Sequence, residues 1–348
     1  MTRCFVRSTT SRNPFWILVV TLSLGGCAAR LAQPEMPLSP PAKVCNDPAL
    51  DQKSFCLPKQ ADAMLRTGRF DILEVRKPSS GLGGARIFIL ENPDDHFVIK
   101  AKWKTSPKGG HGFNNEPRKE LAAYTMQSLF LTPEESVVPP TVGRCIATAT
   151  IHEKVPDAAE TFDGAPCVFG VLAYWLTNVS ADHVFDASRF ESDPAYRQSV
   201  SNMNLLTYLI DHRDTRPSNF LISTDKAHAR TFAVDNGLAF SGFRNPISFF
   251  TKTNWAKIIV PALPRKQLER LRKLARRDLD ALLTVSQYSV TSRGMVEVPP
   301  TAAFSESIGV RREGDVIQFG LTRKEVDAIA ARLKALLEKV DSGKITVF

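Results

Sequence analysis

Leu209-Ile210-Asp211-His212-Arg213-Asp214-Thr215-Arg216-Pro217-Ser218-Asn219-Phe220-Leu221-Ile222 is the stretch whose reading decides the fold. An apolar helix end precedes it and an apolar strand closes it. The polar loop between them carries Asp214-x-x-x-x-Asn219. A second acidic signal follows in Phe232-Ala233-Val234-Asp235-Asn236-Gly237, a strand running into a turn. Asp214 is a carboxylate able to accept a proton. Asn219 and Asp235 offer hard oxygens of the kind that Mg²⁺ and Mn²⁺ take. His212 and Arg213 read as structural residues of the loop, and Asp211 as a helix-end surface residue.

Working upstream, the pattern alternates strands and turns. Strands are expected over 70–75, 86–90 and 96–103, with a turn at Asn92-Pro93-Asp94-Asp95. Between the first two lies Ser79-Ser80-Gly81-Leu82-Gly83-Gly84-Ala85. Gly81, Gly83 and Gly84 would let the backbone approach phosphates and present amides to them. The third strand carries Lys100 as the candidate phosphate clamp. Lys102 shares its face as second choice. A charged loop is expected over 104–112, then a helix over 114–129 capped by Asn114 or Asn115, with Pro117 in its first turn. Glu120 on that helix is the candidate partner of Lys100, and Glu116, one turn earlier, is its alternative. Strands over 145–151 and 167–175 follow.

Downstream of residue 176 the expectation is mainly helical. Helices are expected over 193–210, 264–283 and 321–340. Leu268, Leu271, Leu274, Leu279 and Leu282 line the second, and Thr322 with Glu325 forms a capping box on the third. Residues 220–222 and 231–234 read as a hairpin.

Composition bounds the class. With 348 residues, 43% hydrophobic and 23% charged, the chain can bury a full core. Of its 45 basic residues, Arg3, Arg7 and Arg12 open the chain, so the remainder is only mildly basic. No Lys/Arg run interleaved with aromatics supports nucleic-acid binding. Phe15 to Leu24 is an apolar core too short to span a bilayer as a mature helix. It ends in Leu24-Gly25-Gly26-Cys27, which resembles a bacterial lipoprotein cleavage box. That resemblance implies cleavage after residue 26, a lipid on Cys27 and a place in the cell envelope, on the outer membrane facing the periplasm. Residues 27–44, with Pro34, Pro37, Pro40 and Pro41, read as a flexible tether. The remaining Cys45, Cys56, Cys145 and Cys167 suit disulfides in an oxidising compartment. Three pairings exist. Cys45 with Cys56 and Cys145 with Cys167 is favoured, since each closes a short loop.

His212-Arg213-Asp214-x-x-x-x-Asn219 resembles a protein-kinase catalytic loop. Glu120-Leu121-Ala122-Ala123-Tyr124, Val138-Pro139-Pro140-Thr141-Val142-Gly143-Arg144 and Asp235-Asn236-Gly237-Leu238-Ala239-Phe240 resemble the secretory-pathway kinases of the four-jointed and Golgi casein kinase type. The resemblance spans roughly residues 81–240. It implies an α+β, two-lobed kinase-like fold. Residues 45–176 would form an antiparallel-sheet N-lobe with one helix, and 177–348 a mainly helical C-lobe. It further implies ATP with Mg²⁺ or Mn²⁺, and a Ser/Thr protein or glycan hydroxyl as acceptor. Asp214 would be the catalytic carboxylate, Asn219 and Asp235 the metal ligands, and Lys100 with Glu120 the phosphate clamp. The glycine loop is irregular, and Asn219 stands where that branch also uses an acidic residue. Two alternatives stay open: a pseudokinase serving as a binding scaffold, and transfer of AMP in place of phosphate.

The leader carries its own test. Cys27→Ala expressed in a Gram-negative host should lose fatty-acid labelling and leave the membrane fraction. Labelling that survives the substitution would remove the anchor.

Overall fold

The computed structural model describes residues 58–78, 84–94, 96–112, 115–214, 216–225, 229–240 and 253–348. The leader, the tether, Cys27, Cys45, Cys56, Gly81, Gly83 and Asn114 lie outside the described residues. Helix α1 (Pro58–Thr67) opens the described chain. Strands β1 (Asp71–Arg76), β2 (Arg86–Glu91) and β3 (Val98–Thr105) come next, followed by helix α2 (Pro117–Gln127). Then come β4 (Thr141–Ala147), a short helix α3 (Thr148–His152) and β5 (Cys167–Tyr174). The five strands form one antiparallel sheet in the order β1-β2-β3-β5-β4.

The sheet has two unlike faces because side chains alternate along each strand. Ile99, Ala101 and Trp103 of β3 join Phe88, Leu90, Val142 and Leu172 in an apolar core with Ala61 and Leu65 of α1. Lys100, Lys102 and Lys104 take the alternate positions. Strand β3 runs two residues beyond the expected end, because Lys104 and Thr105 pair with Val171 and Gly170 of β5. Gly170 permits this: a Cβ there would lie 2.6 Å from the Trp103 indole and 2.7 Å from the Lys104 carbonyl. Cys145 and Cys167 are bonded, with Cα atoms 5.4 Å apart, and join the ends of β4 and β5.

Past Tyr174 come β6 (Val179–Ser180), α4 (Ala187–Ser192) and α5 (Pro194–Leu209). Asp193 caps α5 by accepting from the Tyr196 amide at 3.0 Å. Strands β7 (Phe220–Ser223) and β8 (Thr231–Ala233) pair as expected, with β6 as a third strand. Strand β9 (Ala262–Leu263) precedes α6 (Arg265–Arg272) and α7 (Arg276–Asp280). These replace the single helix expected over 264–283. The expected stripe is nonetheless inside, since Leu268, Leu271, Leu279 and Leu282 are buried and Leu274 partly so. The basic face is paired at the surface: Arg272 with Asp341, and Arg276 with Asp280 and Asp327.

The expectation of a mainly helical second half is corrected by four further strands. β10 (Ser286–Thr291), β11 (Gly294–Val298), β12 (Val310–Glu313) and β13 (Val316–Phe319) form an antiparallel sheet in the order β11-β10-β13-β12. Two tight hairpins make it: Thr291 pairs with Gly294, and Glu313 with Val316 across Gly314 at φ 55°. This sheet packs on the lysine-bearing face of the first sheet at its β4–β5 end. Phe319 stacks on Phe169 at 4.7 Å, and the Tyr288 hydroxyl donates to the Gly143 carbonyl. Helix α8 (Arg323–Asp341) starts at the expected Thr322–Glu325 capping box, and β14 (Thr346–Val347) pairs with β9. Among the described residues no helix is long and apolar enough to cross a membrane.

Gly170→Ala should destabilise the protein by about 1–3 kcal/mol, because the added methyl meets an indole and a carbonyl that cannot both retreat. Urea unfolding checks this, and an unchanged midpoint would contradict the packing described.

Candidate functional site

Helix α5 delivers the loop. It ends at Leu209, and Asp211 takes a left-handed turn at φ 51° that reverses the chain. The His212 amide donates to the Thr207 carbonyl, which pins the turn. The imidazole is fully buried, 5.1 Å from the Phe220 ring, and burial lowers its basicity so that it stays neutral. Asp211 pairs with Arg213 at 2.8 Å and Arg332 at 3.7 Å. These three residues therefore hold the loop's shape; Asp211, expected as a helix-end surface residue, is buried by its ion pairs instead.

Asp214 and Asn219 face inward, with residue exposures of 2% and 3%. The Asn219 side-chain Nδ2 donates to the Asp214 carbonyl at 3.1 Å and closes the loop on itself. The Val234 amide donates to the Asn219 carbonyl, so the loop is joined to the strand end that carries Asp235. Asp235 takes a left-handed conformation, φ 59° and ψ 55°, and leads into a single 3-10 turn at Asn236–Leu238. A non-glycine residue in that region is uncommon, and Asp is among those that tolerate it.

Three cations converge on Asp235. The ammonium groups of Lys102 and Lys104 each lie 3.2 Å from its Oδ1, and an Arg216 nitrogen lies 3.8 Å from Oδ2. Arg216 also forks onto Asp214, with distances of 3.0 and 2.7 Å to the two carboxylate oxygens. Burial alone would raise the Asp235 carboxyl. The two ammonium groups overcome that and hold it well below the usual carboxylate range. Burial likewise works against the Lys104 charge, and Asp235 and Glu120 outweigh it, so its basicity is raised.

Glu120 reaches this cluster from α2, though its cation differs from the expected one. The Lys100–Glu120 pair is corrected to Lys104–Glu120, with Nζ 3.7 Å from Oε1. The other Glu120 oxygen accepts the Asn236 amide at 2.9 Å, tying α2 to the turn after Asp235. Lys100 makes no ion pair among the described residues; its carbonyl accepts the Trp175 amide. Lys100, Lys102 and Lys104 share a face, and the two nearest the strand's end reach the acidic groups. Glu116 is turned to Arg118 and Lys119, at 2.6 and 3.3 Å. Helix α2 starts at Pro117 with Glu116 in the cap position, while Asn115 donates to the Thr105 carbonyl. Gly84 is described at φ 68°, with open space around it.

Asp235 and Asn219 supply hard oxygens, suited in kind to Mg²⁺ or Mn²⁺. Asp235 is held ionised, as a ligand must be. Among the described residues no group of three or more His, Cys, Asp or Glu is gathered closely enough to hold a metal by itself. Arg216 and Lys104 are the site residues the sequence reading missed. Arg216 sits two positions after Asp214, the spacing at which a loop side chain folds back onto its neighbour. No protein-family model matches this chain, and no curated protein matches it closely enough to count as a relative.

Asp235→Asn should cost about 2–4 kcal/mol near neutral pH, because it leaves two partly buried ammonium groups without their shared counter-ion. The sign with pH follows from the lowered carboxyl. The contribution is complete above the unfolded-state value of about 3.9 and is lost as pH falls below it. Unfolding titrations of both proteins should therefore converge in acid. A constant gap between pH 7 and pH 2 would contradict the charge account.

Proposed function

We propose that the chain is a two-lobed, kinase-like phosphotransferase that uses ATP with Mg²⁺ or Mn²⁺ and acts on a hydroxyl of a protein or glycan. The observation carrying this reading is the linkage of Lys104, Glu120 and Asp235, which joins a sheet strand, a helix and the turn beyond the Asp214–Asn219 loop. Supporting it are the all-antiparallel order β1-β2-β3-β5-β4 and the position of α2 between β3 and β4 in the chain. The lipoprotein-like leader makes the envelope its expected place, with a lipid on Cys27 as the membrane link.

The metal, when bound, neutralises charge on the phosphate oxygens. The chain's own residues do the rest. Asp235 and Asn219 would hold that ion, and Lys104, kept in place by Glu120, sets a cation on the phosphates. Asp214 accepts the proton of the acceptor hydroxyl. That oxygen bonds to the γ-phosphorus as the bond from the same phosphorus to the bridging oxygen breaks, and ADP leaves. Arg216 must release the Asp214 carboxylate for this to happen. Its fork onto Asp214 is a contact that favours the second reading, a binding scaffold that takes nucleotide without transferring phosphate.

The experiment is a thermal-shift and labelled-transfer series on protein lacking residues 1–27. ATP with Mn²⁺ or Mg²⁺ should raise the melting temperature, and Asp235→Ala should abolish the rise. Asp214→Ala should keep the rise and lower transfer from γ-labelled ATP by about 10²-fold or more. No metal-dependent shift at millimolar nucleotide would overturn the proposal. A shift without transfer would favour the scaffold, and label arriving only from the α position would mean AMP transfer.

A further inference from the structure

Two lysines share one carboxylate oxygen in this site, and their surroundings differ. Lys104 is 7% exposed at its side chain and is held between Asp235 and Glu120. Lys102, two residues earlier on the same face of β3, is 23% exposed. Asp235 is the only acid it pairs with among the described residues, at 3.2 Å. Asp235 itself is 28% exposed, so the contact lies at the mouth of the site. Both Asp235 oxygens face cations, two ammonium groups at Oδ1 and an Arg216 nitrogen 3.8 Å from Oδ2, so a divalent ion bound about 2 Å from either oxygen meets like charge that at least one ammonium must relieve by leaving. Lys104 keeps Glu120 when it gives up Asp235. Lys102 keeps no acid.

We propose that Lys102 is a placeholder cation: its ammonium occupies Asp235 in the free protein and transfers to a phosphate oxygen of the nucleotide when a divalent ion takes the carboxylate. This rests on the nucleotide-and-metal reading of the same site. Lys102 and Lys104 then have separate jobs. Lys104 stays held by Glu120 and keeps its cation beside the phosphates. Lys102 is exchangeable, so metal and nucleotide phosphate enter together: the ion displaces the ammonium, and the phosphate receives it. Metal alone must displace an ammonium that then has no anion to receive it, so the free protein binds bare metal weakly.

The two halves of the exchange give effects of opposite sign, which a merely structural lysine would not. Bare Mn²⁺ binding is measured by electron paramagnetic resonance of the free ion, and ATP binding at saturating Mn²⁺ by calorimetry, on wild type, Lys102→Gln and Lys102→Arg. Lys102→Gln should bind bare Mn²⁺ at least about five-fold more tightly, since a competing cation is gone, and Mn²⁺–ATP at least about five-fold more weakly. Lys102→Arg should stay close to wild type in both. Equal affinities in wild type and Lys102→Gln, or losses of both ligands together, would overturn the exchange while leaving the nucleotide reading intact. Failure of wild type to bind Mn²⁺–ATP at all would overturn both. A cooperative melting transition in each variant confirms that it is folded.

Discussion

An ammonium group withdrawn from water must find anions, or give up its proton. Lys104 is that group here. Its side chain is almost fully enclosed, and its charge is kept by one carboxylate from α2 and one from the turn after β8. Three pieces of chain distant in sequence are thereby fixed around one point. The strand must extend to residue 105 to bring the lysine there. The helix must present Glu120, and the turn must hold Asp235 in a left-handed conformation so that carboxylate and Asn236 amide both face the helix.

The rest of the fold reads as support for that arrangement. Helix α2 is anchored at both ends. At its start Arg118 forks onto Glu325 at 2.7 and 3.0 Å, so the capping box of α8 doubles as a socket for α2. At its end the Gln127 amide group bonds the Val137 and Val138 backbone. The Val137 carbonyl in turn accepts the Ala233 amide, two residues before Asp235. Helix and turn thus share two routes of connection, one through Glu120 and one through Gln127. A helix held in this way keeps Glu120 in reach of Lys104 without help from a ligand.

Much of this was legible in the residues, and the gaps have physical causes. The spacing of Asp214 and Asn219, the turn at Asp235, the cap at Thr322 and the Cys145–Cys167 pair are local signals, and local geometry decides them. The lysine was not local. Alternation puts Lys100, Lys102 and Lys104 on one face and cannot rank them; the reach of Glu120 does that. The run Lys104-Thr105-Ser106-Pro107-Lys108-Gly109-Gly110 also reads as loop, and only pairing with Val171 and Gly170 makes its first two residues strand. The second sheet hid for another reason. Its strands are short and rich in Ser, Gln and Arg, and Gln287, Gln318 and Arg311 are buried through hydrogen bonds rather than apolar patterning. The hairpin signal Glu313-Gly314-Asp315-Val316 was its one clear mark.

The most direct measurement of the central claim is a crystal structure of the protein soaked with Mn²⁺ and a non-hydrolysable ATP analogue, with anomalous scattering used to place the ion. The account predicts a manganese peak about 2 Å from an Asp235 carboxylate oxygen, with Lys104 still against Glu120 and nucleotide phosphates beside both. Manganese and nucleotide bound elsewhere, with the three cations still closed on Asp235, would contradict it.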